Sequence, residues 1–158
     1  MMNPELILKI ALQILAAAAG SLGFGVLFHL RGKKLLSAAL GGAFGWSAFL
    51  VLSALSVDEP LAYFLVALLI SLYAEGMARL QKAPATVFVA PSLIPLVPGS
   101  SLYYTMAYAL GGDIAQFLEK AGATLALASA LAVGIIFSAV LARLLFRPHT
   151  TKKERKAR

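Results

Sequence analysis

Cysteine is absent from the 158-residue chain, which removes disulfides, thiolate metal sites and thiol nucleophiles together. Charge is scarce as well. Asp, Glu, Lys and Arg make up 13% of the residues, where a soluble domain carries about a quarter. Histidine occurs only at His29 and His149, each beside basic residues at the end of an apolar segment, so no metal-ligand spacing arises. There is also no close carboxylate pair, no Ser/His/Asp set and no phosphate-binding glycine loop. The expectation is a non-enzyme that needs no cofactor.

What fills the chain is apolar: 60% of the residues are hydrophobic. A soluble protein of this size has no interior large enough to hide them, whereas a bilayer removes the difficulty. The net charge of +7 invites a nucleic-acid reading. The positions argue against it, because the basic residues sit in short clusters between apolar runs, as membrane orientation requires. A spanning helix needs roughly 20 apolar residues. Uncharged runs extend from Lys9 to His29, from Leu35 to Val57, from Pro60 to Ala78 (interrupted only by Glu75), from Ala83 to Gly112 and from Ala121 to Ala142. The fold class is therefore an all-α integral membrane protein of about five transmembrane helices. Short loops predict that consecutive helices are antiparallel neighbours.

With five spans, twelve of the fourteen basic residues fall on one side: Arg31, Lys33 and Lys34; Arg79 and Lys82; then Arg143, Arg147, Lys152, Lys153, Arg155, Lys156 and Arg158. The other loops carry Asp58 and Glu59, then Asp113, Glu119 and Lys120. The N-terminus is expected outside and the C-terminus in the cytoplasm. Leu6 to Leu15 followed by Ala17-Ala18-Ala19 has the look of a signal peptide, but Glu5 offsets Lys9 and the apolar run continues to Phe28, which favours a retained helix. Residues 1–148 form one transmembrane domain. Residues 149–158 read as a basic, disordered tail near anionic headgroups.

The fifth segment places small residues at every fourth position: Gly122, Ala126, Ala130, Gly134, Ser138 and Ala142. This predicts a strip along one helix face where backbones approach closely. Ser37, Gly41 and Gly45 repeat it in the second segment. Such strips suit a partner subunit and equally a homo-oligomer. Trp46, Tyr63 and Tyr73 are interfacial anchors or packing groups. Glu75 is the one acid inside an apolar segment, a candidate for a coupling proton. The competing reading is a local ion pair with Arg79 at i+4.

The fourth segment carries Pro91, Pro95, Pro98 and Gly99, followed by Ser100, Ser101, Tyr103, Tyr104 and Thr105. These prolines forbid one regular helix, and the carbonyls a turn earlier are expected to lack helical amide partners. Irregular backbone at membrane depth is tolerated where protein buries it or a wet cavity lines it, and transporters place such breaks at the midplane. Pro91 to Thr105 is thus the candidate solute path, with Ser100 and Ser101 capping a new helix whose amides face a carboxylate. The alternative is a structural kink with self-satisfied hydroxyls.

Lys82-Ala83-Pro84, then Ile94-Pro95-Leu96-Val97-Pro98-Gly99, then Tyr103 or Tyr104 resemble the threonine/serine exporter family, most of all its small YjjB-type component. Gly23-Phe24-Gly25-Val26-Leu27-Phe28, the segment lengths and the basic tail extend the resemblance more loosely over the whole chain. The resemblance implies an inner-membrane exporter of threonine and serine, or of dicarboxylates such as succinate. It also implies a separately encoded larger subunit of the same family. A non-transporting assembly subunit and a small channel are the other readings that the residues allow.

Overall fold

A computed structural model of the chain describes residues 4–145; His149 and the basic tail lie outside them. The described residues contain no strand. The helices are α1 (Pro4–Leu27), α2 (Lys33–Ala54), α3 (Glu59–Leu80), α4 (Thr86–Leu93), α5 (Gly99–Gly111) and α6 (Ile114–Leu145), with one 3₁₀ turn at Ile94–Leu96. Four of these are long and apolar enough to cross a bilayer, and the bent pair formed by α4 with its 3₁₀ turn and α5 makes a fifth. The fold is that of an all-helical, multi-pass membrane protein.

Four of the helices stop in the same way. The amide of Leu30 donates to the carbonyl of Gly25, Val57 to Leu52, Ala83 to Ala78 and Asp113 to Tyr108. Each is the six-to-one bond that reverses the chain just past a helix end and satisfies a carbonyl left over there. The motif requires a left-handed residue, found at His29, Ser56, Lys82 and Gly112. Asp113 then caps α6, its Oδ1 accepting the Gln116 amide at 3.1 Å. Glu119 and Lys120, expected in the outer loop, instead lie within the first two turns of α6.

The centre of the bundle is α2. A Cβ on Gly42 would collide with Ser21 of α1, one on Gly45 with Ile70 of α3, and one on Gly41 with Ser92 of α4. Three neighbours thus approach one helix at three glycines within five residues, where lipid supplies no hydrophobic drive and close packing must hold helices together. Polar bonds fasten the same seams. Ser92 Oγ donates to the Ala38 carbonyl at 3.1 Å, Tyr73 Oη to the Ser37 carbonyl at 2.8 Å, and Gln81 Nε2 to Ser37 Oγ. Tyr63 is buried, edge-on to Phe49. Tyr73 therefore serves packing.

The chain departs from strictly consecutive pairing at α3 and α6. Leu131 and Gly134 of α6 lie against residues 64–70 of α3, and Lys120 to Leu127 against its first turns. Low numbers meet low numbers, so the two helices run parallel. The chain leaving α3 must therefore cross the bundle before α6 begins, and α4, the 3₁₀ turn and α5 make that crossing. Phe88 packs with Ala74 and Ala78 near the end of α3, and Leu96 with Val66 and Ile70 near its middle. The break after Leu96 thus falls at about half-depth, and α5 leaves it at 58° to the axis of the preceding part. No residue of α5 is buried.

The small-residue strip of α6 is not one face. Gly134, Ser138 and Ala142 are buried and Ala130 is half-buried, but Gly122 and Ala126 are exposed. Successive fourth positions on a helix of 3.6 residues per turn advance by about 40° each, so four steps swing the strip by about 160°, nearly to the opposite face. The buried face instead follows Thr124, Leu127, Leu131, Gly134 and Ser138. Gly134 is where the backbones meet: a Cβ there would stand 2.6 Å from the Phe64 carbonyl oxygen and 2.9 Å from Ala67 Cβ, whereas one on Gly122 meets nothing within 4 Å. Gly134→Ala is expected to destabilise the purified protein by about 1–3 kcal/mol. Gly122→Ala should be neutral or slightly stabilising through helix propensity. Thermal unfolding in detergent followed by circular dichroism compares the two; equal midpoints would remove Gly134 from the α3–α6 contact.

Candidate functional site

The prolines of the fourth segment leave fewer orphaned groups than their number implies. Pro95 deprives the Pro91 carbonyl of its helical donor, and Pro98 deprives that of Ile94. The chain tightens by one residue at both places: the Ile94 amide donates to Pro91 and the Val97 amide to Ile94, the latter at 3.1 Å. The expectation of unpartnered carbonyls here is corrected by these two 3₁₀ bonds. What remains unsatisfied is on the other side of the break. Helix α5 starts at Gly99 with Pro98 as its N-cap and no side-chain cap, so neither Ser100 nor Ser101 plays the capping part expected of it. The Gly99 amide takes the Val97 carbonyl at 2.7 Å and the Leu102 amide takes that of Pro98 at 3.0 Å. The Ser100 and Ser101 amides lie in the first turn, where the helix has no carbonyl to offer them.

Beside this turn lies a cleft of about 430 Å³, open to the surface. Pro98, Ser100, Ser101 and Tyr104 form one wall; Glu59, Pro60 and Tyr63 of α3 form the second; Lys120, Ala123, Ala126 and Leu127 of α6 form the third. A carboxylate, an ammonium, two serine hydroxyls and two phenols thus share one cavity between three helices. Ser101 and Thr105 also face α6. Ser101 Oγ and Thr124 Oγ1 are 2.8 Å apart, and Thr105 Oγ1 lies 3.3 Å from Thr124 Oγ1. Thr105 donates to the Ser101 carbonyl and Thr124 to that of Lys120. These hydroxyls join α5 to α6, so of the expected path residues Thr105 serves the hairpin rather than the cavity.

The remaining candidates separate. Pro91 is fully buried, Gly99 is exposed, and Pro95 lines a different hollow with Gln13, Gly20 and Trp46. Glu75 Oε2 stands 3.6 Å from Arg79 Nη2, on the half of α3 far from the cleft. Sequence reasoning missed Glu59, Tyr63 and Lys120 as site residues and gave Ala126 a packing role. One signal pointed to Lys120: with Lys9 it is one of two basic residues outside the clusters that set orientation.

A family model described as threonine/serine exporter, ThrE, matches residues 13–141, a span that includes every wall of the cleft, the proline break and all of α2. No solved structure matches the chain. A multi-pass helical bundle, a half-depth break and a polar cleft beside it are what a transporter of this kind needs, and on the extent of that match the chain belongs to the threonine/serine exporter family.

Proposed function

We propose that the chain carries a small zwitterionic amino acid of the threonine and serine type out of the cell, and that the cleft between α3, α5 and α6 is its solute site. The observation that carries the reading is the pairing of Glu59 with Lys120 across one cavity whose other polar groups are hydroxyls. An α-ammonium is matched by Glu59. An α-carboxylate is matched by Lys120 and by the free first-turn amides of α5, where the helix dipole favours an anion. The hydroxyls of Ser100, Tyr63 and Tyr104 suit a hydroxylated side chain. A dicarboxylate such as succinate meets a like charge at Glu59, which disfavours it.

The chain acts with a larger subunit of the same family. Support comes from α5, which packs chiefly on α6 and leaves Tyr103, Met106 and Leu110 between 66% and 87% exposed. In this reading the partner covers that face, and alternating access moves α5 about the Pro98–Gly99 joint relative to α3. The protein lies in the inner membrane with its N-terminus outside, so the cleft opens toward the outer face. A non-transporting assembly subunit has no use for an acid and a base facing one hollow.

Three expectations test this. In cells that also express the larger subunit, Glu59→Gln and Lys120→Gln should each lower efflux of labelled threonine by about ten- to a hundredfold at unchanged protein level, the cost of losing one charged hydrogen-bond partner. Wild-type efflux in both variants would end the assignment of the cleft, and succinate efflux by the wild-type protein at the rate of threonine would move the substrate to dicarboxylates. Glu75→Gln removes a partly exposed ion pair worth less than about 1 kcal/mol. It should keep threonine efflux dependent on the pH gradient; loss of that dependence at normal abundance would make Glu75 the proton carrier instead. Because the chain has no cysteine, Lys33→Cys, Asp58→Cys and Asp113→Cys can be labelled singly with an impermeant maleimide in spheroplasts. Reaction at 58 and 113 and protection at 33 is the expected pattern, and the reverse would invert the topology.

A further inference from the structure

At the end of the bundle opposite the cleft, the α1–α2 and α3–α4 turns lie side by side. Between them is a pocket of about 380 Å³ lined by His29, Arg31, Lys34 and Lys82, with Leu30 and Val87 on its floor and no carboxylate in its lining. Helix α3 spans 22 residues, about 33 Å, so this pocket and the solute cleft stand on opposite sides of the bilayer. Two of the basic positions are notable for their backbone. His29 and Lys82 hold the left-handed residue of their helix stops, φ 60° and 47°. Glycine is the usual occupant there, and both positions instead carry side chains that line the pocket.

A second hollow, of about 290 Å³, shares Leu30 and Val87 with the first and continues along Phe28, Thr86 and Ala90. Apart from the Thr86 hydroxyl its side chains are apolar. It runs beside α4, which is the start of the fourth crossing and so points into the hydrocarbon. A basic recess at headgroup level therefore adjoins an apolar groove at acyl level.

We propose that this composite site binds one anionic phospholipid, its phosphodiester held by Arg31, Lys34, Lys82 and His29 and an acyl chain lying along Phe28, Val87 and Ala90. Charge complementarity selects an anionic headgroup over a zwitterionic one, and basic pockets between helices on the cytoplasmic side suit such headgroups. The groove distinguishes a lipid from free phosphate, which has nothing to place there. The lipid ties the α1–α2 turn to the α3–α4 turn and so braces the inner end of the broken crossing. This inference does not depend on what the cleft transports.

The test uses the purified full chain and native mass spectrometry, with phosphatidylglycerol, phosphatidylcholine and glycerol 3-phosphate as probes. One phosphatidylglycerol per chain should be retained in preference to phosphatidylcholine. Arg31→Gln with Lys82→Gln should lower that retention by about tenfold or more. Lys33→Gln with Arg143→Gln removes the same charge at the same end of the bundle without touching the pocket and should leave retention near wild type. Ala90→Trp fills the groove and should displace the lipid while keeping the helical circular-dichroism spectrum. Equal retention of the two phospholipids, or equal losses from the two charge pairs, would reduce the effect to diffuse surface attraction and overturn the site. Displacement of phosphatidylglycerol by millimolar glycerol 3-phosphate, with Ala90→Trp inert, would make it a free-anion site and overturn the lipid assignment.

Discussion

The bundle depends on how closely three helices can approach α2. Gly41, Gly42 and Gly45 receive Ser92, Ser21 and Ile70 at distances that leave no room for a methyl group. In water a larger residue would trade some packing for buried area. In lipid there is no such gain, because the tails are as apolar as the side chains, and contact between helices is the main attraction available. Overpacking of this kind costs about 1–3 kcal/mol per site. Three such sites within five residues make α2 the element against which α1, α3 and α4 are all aligned.

That alignment places the proline break. Ser92 is held against Gly41 and bonded to the Ala38 carbonyl, so α4 enters at a set depth and reaches Leu96 beside Val66 and Ile70. Two 3₁₀ bonds then absorb the donors missing at Pro95 and Pro98. The Pro91 and Ile94 carbonyls are thus satisfied, and the first-turn amides of Ser100 and Ser101 come where α5 begins, beside the cleft. The crossing is thus divided: a first half anchored on α2, and a second half attached to α6 by hydroxyls.

The two ends of the molecule are chemically unlike. At one end an acid and a base face one hydroxyl-rich cleft; at the other, bases gather without an acid. The lysine and arginine clusters between the apolar runs also line this basic pocket. In the lipid proposal, orientation signals and a headgroup site draw on one set of residues. The left-handed stops at His29 and Lys82 bring two side chains of the pocket together from turns more than fifty positions apart.

The sequence by itself determined the membrane class, the crossings and the location of the break, because each follows from local quantities: runs of apolar residues, charge between them, and prolines that cannot donate. It also paired Glu75 with Arg79, a contact within one helical turn. Only the tertiary structure decided which strip of α6 is buried, since a four-residue spacing drifts around the helix and Gly134 rather than Gly122 is the one that meets α3. It alone brought Glu59 and Lys120 to one cavity, because α3 and α6 are separated by the whole broken crossing and their parallel pairing leaves no periodic trace in either. It alone showed that the Pro91 and Ile94 carbonyls keep a partner, since a missing donor does not by itself say whether a 3₁₀ bond from the next residue replaces it.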